Sequence, residues 1–256
     1  MWMTNPTRSS QSLRQRLCEH EPLRGSFIKL TGGHSIEMLG AVGFDFVVID
    51  AEHGPYGREA TDLSLMACRA AGLAGIVRVS DHSRSSLEGA LDLGAAGLLV
   101  PHVDSARAAE QLVKSCRYQG GRRGFSAATR AGGYGTVKRA DHILRSDSEV
   151  ALIAIIEDAS GLEECDAIAA MNGIDAVFIG RGDLAVSLGV DSLDAPEVQN
   201  ACRRIFEAAR AASKPVWAMA SSPEEAKLLR DAGASGLILA SDTAMLIDGA
   251  KRLLAA

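Results

Sequence analysis

Glu157 and Asp183 each close or follow a short apolar run, LIAIIE and AVFIG. On neighbouring strands, their two carboxylates would come within reach of one ion. Two hard oxygen donors with no Cys or cluster of His beside them suit Mg2+, Mn2+ or Co2+, with water and substrate completing an octahedron. The same residues are equally consistent with Asp183 capping a helix at Gly182-Asp183-Leu184 and Glu157 pairing with an arginine. His53 stands in I-D-A-E-H with Asp50 and Glu52, and its near-neutral ordinary pKa suits proton transfer. A carboxylate on its other ring nitrogen would fix the tautomer and raise its basicity, and Asp50 and Asp92 are the available partners. Arg78 follows Ile76-Val77, so its charge would enter the site from a strand end and needs a carboxylate or an anionic substrate. His102, Asp158, Arg181, Ser241 and Asp242 occupy similar positions. Lys29 is the one lysine placed to point inward from a strand, and so the one candidate for Schiff-base chemistry.

These residues can act together only if the chain gathers them. Eight short β-rich runs begin at Phe27, Phe46, Ile76, Leu98, Leu152, Ala176, Val216 and Leu237. They are apolar on both alternating faces, as strands covered on both sides of a parallel sheet must be. Ala-rich amphipathic segments with helix-start signals separate them, such as Ser222-Pro223-Glu224-Glu225 and the Pro196 segment. Eight strand–helix units in about 250 residues predict a single α/β (β/α)8 TIM barrel, with a doubly wound open sheet as the competitor. We read residues 1–24 as an N-terminal segment with a short helix and 25–256 as the barrel. In such a barrel the strand C-termini form the site face, which is where these polar residues fall. The longest interval, between the fourth and fifth runs, carries Arg117, Arg122, Arg123, Arg130 and Arg139 among glycines. It is expected to form a loop on that same face.

Composition excludes several partners. Over 256 residues, 27 Lys and Arg against 32 Asp and Glu leave a net charge of −5, which disfavours nucleic acid and anionic membrane surfaces. No apolar run reaches the ~18 residues of a membrane span, and the N-terminus has no apolar core of a secretory signal. We therefore expect a cytoplasmic protein. Five cysteines far apart, without a C-x-x-C pair, read as small buried hydrophobes. The phosphate-binding fingerprints G-x-x-x-x-G-K-[ST] and G-x-G-x-x-G after a strand are absent from the sequence.

The stretches GFDFVVIDAEHGPY, VRV, LDLGAAGLLVPHVDSARAA, RYQGGRRG, IIEDASGLE and DAVFIGRGDLAVSLG resemble, in this order, the HpcH/HpaI aldolase family. This family is also called 4-hydroxy-2-oxoheptanedioate aldolase or class II pyruvate aldolase. The likeness runs from about Gly25 to Asp242. It implies a metal-dependent lyase that makes or breaks a carbon–carbon bond next to pyruvate. Glu157 and Asp183 then resemble the ligands of a divalent ion (Mg2+, Mn2+ or Co2+), and His53 the general base. Asp92 resembles the residue that raises the basicity of His53, and Arg78 the stabiliser of the developing oxyanion. Gly182 and Asp183 take the place whose backbone amides meet the pyruvate carboxylate, with Asp50, Glu52 and Arg181 around them. The implied partners are a small oxo acid and an aldehyde, and a homo-oligomer, a hexamer built as a trimer of dimers. An oxaloacetate decarboxylase, a citrate-forming or citrate-cleaving enzyme, or a non-catalytic keto-acid-binding barrel are the other readings. The chain departs from the pattern at Ile155, where a Gln is usual, at Gly180-Arg181, where G-P is usual, and at Gln119-Gly120 in place of P-P. Arg181 and the Arg-rich loop are expected to favour an acidic substrate.

Overall fold

The structure is a computed structural model describing residues 11–255. Strands β1 (Leu23–Ile28), β2 (Phe46–Asp50), β3 (Ala74–Arg78), β4 (Gly97–Val100), β5 (Ala151–Ile156), β6 (Ala176–Ile179), β7 (Val216–Met219) and β8 (Ala234–Ser241) form a closed barrel in chain order. Every neighbouring pair is parallel, and β8 returns to pair with β1. The predicted barrel is therefore the observed one, with its first strand opening at Leu23.

A short helix α1 (Leu13–Cys18) precedes the barrel. The outer helices are α2 (His34–Val42), α3 (Arg58–Ala71), α4 (Arg84–Asp92), α5 (Ala106–Cys116), α6 (Arg139–Glu149), α7 (Ala159–Glu163) and α8 (Cys165–Ala170). They continue as α9 (Arg181–Ser187), α10 (Pro196–Ala211), α11 (Pro223–Asp231) and α12 (Asp242–Leu254). Their starts follow local chemistry: Ser222 Oγ accepts from the Glu225 N–H ahead of Pro223, and Ser105 Oγ accepts from the Ala108 N–H.

Side chains alternate across each strand, and the two faces feed two cores. One core lies between strands and helices and includes Val47, Ile49, Val77, Leu98, Leu152 and Val177. The other fills the barrel with Phe27, Phe46, Val48, Ile76, Leu99, Ile153, Ile155, Phe178, Trp217 and Ile238, and α1 closes it with Leu13 and Leu17. Phe46 and Trp217 meet at 4.5 Å between ring centroids. Room for these rings comes from Gly25 and Gly236, where a Cβ would stand 2.1 Å from Phe46 and 2.2 Å from Trp217.

The Arg-rich stretch is not at the site face. Helix α5 occupies the first part of the long interval, so the loop after it returns to the opposite end of the barrel. Arg117 there donates to the Val150 carbonyl just before β5 (2.9 Å) and to Asp175 just before β6 (3.2 Å). Arg123 donates to Ser146 Oγ, Arg130 pairs with Asp62, and the Arg139 guanidinium lies over the Phe125 ring. Their charges are committed to packing the loop.

Cys68, Cys116 and Cys165 are buried, Cys202 is half-buried and Cys18 is exposed, all as free thiols. Among the described residues no helix is long and apolar enough to cross a membrane. The first ten residues, read above for a secretory signal, lie outside the described residues.

Candidate active site

The inward-facing alternation that fills the barrel ends in charge at its mouth. In β2 the inward series runs Phe46, Val48, Asp50, in β3 Ile76, Arg78, and in β5 Ile153, Ile155, then Glu157 just past the strand. In β1 it runs Phe27, then Lys29, which stands one residue beyond the strand rather than within it. The apolar floor under these groups contains Ile155, 1% exposed.

Asp50 and Arg78 are register partners on adjacent strands, so their side chains meet. Asp50, 0% exposed, accepts from Arg78 Nε at 2.9 Å and Nη2 at 2.8 Å, a two-point pair. It also accepts from Lys29 Nζ at 2.6 Å and from the His53 backbone N–H at 3.1 Å. Burial opposes its charge, but the hydrogen bonds from Arg78 and Lys29 and the Arg78 charge outweigh it and hold the carboxyl at about 2. Arg78 in turn lies 4.8 Å over the Phe27 ring, and its Nη1 stands 3.1 Å from Glu52 Oε2. Lys29 is thus a charged neighbour of Asp50, which disfavours the Schiff-base reading.

Across the mouth, Glu157 Oε1 accepts from the His102 backbone N–H at 2.7 Å. The His102 ring bridges two carboxylates, with Nδ1 3.4 Å from Glu157 Oε1 and Nε2 3.6 Å from Glu52 Oε1. Burial raises the Glu157 carboxyl to about 7, aided by the charges of Asp183 and Glu52 and opposed by His102. Among the described residues Glu157 pairs with no arginine; its ionic neighbour is His102. Nor is Asp183 a helix cap: it lies exposed in the first turn of α9, whose N-cap is Gly180 without a side-chain bond. Gly180 is required for the approach, since a Cβ there would stand 2.5 Å from Glu157 Cβ and 2.7 Å from its Oε2. Glu52 Oε2 is buried, with the Arg78 guanidinium as its charged neighbour.

His53 is exposed at the mouth, its Nε2 3.8 Å from Glu52 Oε2. Asp92 is not beside it. It ends α4 at the opposite end of the barrel, where its Oδ1 faces Arg123 Nη2 at 3.3 Å and its carbonyl accepts from the Ala131 N–H. Within the chain, the carboxylate that touches His53 through a hydrogen bond is Asp50. Arg181 also departs from expectation: it binds Glu225 and donates to the Met219 carbonyl at 2.7 Å, so its charge is spent toward β7 and α11. Asp158 caps α7, Ser241 caps α12, and Asp242 accepts from the Lys29 and Leu30 N–H groups. Those three are structural.

Among the described residues, no three His, Cys, Asp or Glu side chains already stand as a closed ligand cage. An ion would be held by Glu157 and Asp183 at an open site, where the hard-oxygen donor set and the raised, buried Glu157 carboxyl fit a divalent cation. Reading residues one by one placed Lys29 inward but did not pair it with Asp50, and it understated Glu52 and His102. The inward period, compared between neighbouring strands, would have set Lys29 beside Asp50.

The model of the HpcH/HpaI aldolase/citrate lyase family matches residues 24–249. This chain belongs to that family. A 5-keto-4-deoxy-D-glucarate aldolase of Klebsiella pneumoniae is 34% identical over 239 residues, covering 93% of both chains. The crystal structure of an HpcH/HpaI aldolase/citrate lyase family protein from Burkholderia cenocepacia superposes with a TM-score of 0.90 at 31% identity, covering 94% of this chain and 97% of that one. The citrate synthase SbnG superposes at 0.87 with 30% identity over 95% and 96%. As an HpcH/HpaI family member, the chain is a carbon–carbon lyase of aldolase type.

Proposed function

We propose that this chain is a divalent-metal-dependent class II aldolase that reversibly cleaves a 4-hydroxy-2-oxo acid to pyruvate and an aldehyde. The observation that carries the reading is the mouth itself. A buried carboxylate raised to about 7, Glu157, feels the charges of Asp183 and Glu52, and Glu52 in turn faces an Asp50-anchored Arg78. The substrate named for the Klebsiella relative supports the substrate class. Its name describes a ketone next to a carboxylate, then a deoxy carbon, then a hydroxylated carbon.

Glu157 and Asp183 would hold the ion, which when bound supplies Lewis-acid stabilisation of the keto acid oxygens. The rest falls to this chain's own groups. His53, open to solvent and tied by its backbone to Asp50, accepts the proton of the C4 hydroxyl. The C3–C4 bond then breaks, C4 becomes the aldehyde carbonyl, and the electron pair stays with the pyruvate fragment. Arg78, held in one orientation by two bonds to Asp50, faces the negative charge that develops there. Backbone amides at Gly182 and Asp183 receive the carboxylate, and Ile155 offers only apolar contact beneath it. The Leu246, Ile247, Leu253 and Leu254 side chains, exposed on α12, support a homo-oligomer.

The test is pyruvate release from a panel of 4-hydroxy-2-oxo acids, with and without EDTA and added Mg2+, Mn2+ or Co2+. We expect release that EDTA abolishes and metal restores, and that His53→Ala reduces strongly. Release indifferent to EDTA, or none from any member of the panel, overturns the reading.

A further inference from the structure

We infer that Lys29 is a specificity-determining residue whose ammonium holds a carboxylate on the aldehyde half of the substrate. The chain then prefers 4-hydroxy-2-oxo acids that carry a second carboxylate at their far end. This rests on the aldolase reading above and deepens it, since that reading gives Lys29 no part in the reaction.

The order of the strands sets the direction of the substrate. Around the mouth stand Lys29 after β1, Asp50 and His53 at and after β2, Arg78 on β3, Glu157 after β5 and Asp183 after β6. A keto acid seated at Glu157 and Asp183, with Arg78 beside its developing charge and its C4 hydroxyl at His53, runs back from β5 and β6 toward β2. The carbons beyond C4 then point at β1, four strands from β5 in either direction around the barrel. Lys29 is the cation at that end, and the fold does not use up its charge. Asp50 accepts from Arg78 Nε and the His53 N–H on Oδ1, and from Arg78 Nη2 and Lys29 Nζ on Oδ2. Four bonds fill the acceptor sites of one carboxylate, and two cations share its single negative charge. Arg78 has Glu52 as a second counter-ion at 3.1 Å, whereas Lys29 has no second one among the described residues. One of its three N–H donors meets Asp50; two are left, on a side chain 31% exposed. The backbone beneath is fixed, because Asp242 accepts from the Lys29 and Leu30 N–H groups and Tyr56 donates to the Leu30 carbonyl at 2.7 Å. Arg181, bound to Glu225 and to the Met219 carbonyl, offers no competing charge.

The chemical consequence is selectivity for the end group. An ammonium with two open donors beside an already filled carboxylate rewards a second carboxylate and gains nothing from a methyl group. That end group keeps its charge while the C3–C4 bond forms or breaks. Lys29 therefore binds ground state and transition state alike, and its contribution falls on KM rather than kcat.

The experiment runs the full-length enzyme with Mg2+ in the condensing direction, with pyruvate and two matched pairs of aldehydes, 4-oxobutanoate against butanal and glyoxylate against acetaldehyde. Wild type, Lys29→Met and Lys29→Arg are compared; the two-point Asp50–Arg78 pair is present in all three. Wild type should prefer the acid in at least one pair. In Lys29→Met the ratio of kcat/KM for that acid over its neutral partner should fall on the order of tenfold, through the KM of the acid. Lys29→Arg, which keeps the charge, should keep most of the preference. No preference in wild type for the acid of either pair overturns the inference. So does a preference that Lys29→Met leaves unchanged, or a loss in which both members of a pair fall alike, which is what a lysine that only steadies Asp50 would give. Exchange of the pyruvate methyl protons in D2O, followed by NMR on wild type with Mg2+, separates the two levels. If exchange and condensation with every aldehyde are both absent, the aldolase reading fails and Lys29 with it; if exchange occurs without a preference for the acids, only the assignment of Lys29 fails.

Discussion

Replacing Glu157 by Gln should make the metal-free protein more stable, and only at higher pH. In the folded chain the Glu157 carboxyl is raised from 4.5 to about 7, chiefly by burial, with the charges of Asp183 and Glu52 adding to it. A folded-state pKa above the unfolded one means that the native chain holds this proton more tightly. Stability is then greatest below about 4.5, falls as pH rises, and reaches its full loss above about 7. An interval of about 2.5 pKa units, at about 1.4 kcal/mol each, corresponds to about 3 kcal/mol. Gln is neutral and of the same shape, and its carbonyl can still accept from the His102 N–H. The measurement is urea and thermal unfolding of EDTA-treated wild type and Glu157→Gln from pH 5 to 8. The variant should be more stable by about 3 kcal/mol at pH 8, about 6–12 °C in Tm for a chain of this size. The difference should narrow to within about 1 kcal/mol at pH 5. Added Mg2+ or Mn2+ should raise the wild-type Tm at pH 8 and leave the variant unmoved. A variant equal to or less stable than wild type at pH 8 would refute the electrostatic account of the site.

Asp50→Asn should act in the opposite direction. Its carboxyl is held at about 2 against an ordinary 3.8, so it stabilises the fold by about 2 kcal/mol above pH 4, an advantage lost as pH falls toward 2; urea midpoints across pH 2–7 read this. Arg78→Lys keeps a charge beside Asp50 but loses the two-point fork. Turnover should fall on the order of 10²-fold while circular dichroism stays that of the wild type. Gly180→Ala pushes a Cβ into Glu157 and should weaken metal binding on the order of tenfold or more, measured by calorimetry, with the barrel still folded.

Much of the architecture was legible because strand burial writes itself into sequence. Runs such as LIAIIE and AVFIG have to be apolar on both faces in a barrel covered by helices, and each of the eight runs overlaps a strand, the first only at Phe27 and Ile28 because β1 opens earlier, at Leu23. The convergence of Asp50, Arg78 and Glu157 was also legible, since each ends an inward-facing series. The loop of arginines was misplaced because charge and glycine content do not reveal which end of the barrel a loop closes. That depended on α5 filling the first part of the interval and carrying the chain back to the far end, which put Arg117 beside Asp175. Asp92 was misplaced for the same reason, since α4 carries its last turn away from the mouth.

The sequence by itself determined the barrel, the order of its strands and which residue types stand at its mouth, because alternation and helix starts are local properties. Tertiary structure alone decided partners. Only the pairing of β2 with β3 sets Asp50 in register with Arg78, and only the packing of neighbouring strand ends turns His102 between Glu52 and Glu157. It also sends Arg181 to Glu225. Pairing of charges depends on distances between segments far apart in the chain, and those distances exist only once the barrel has closed.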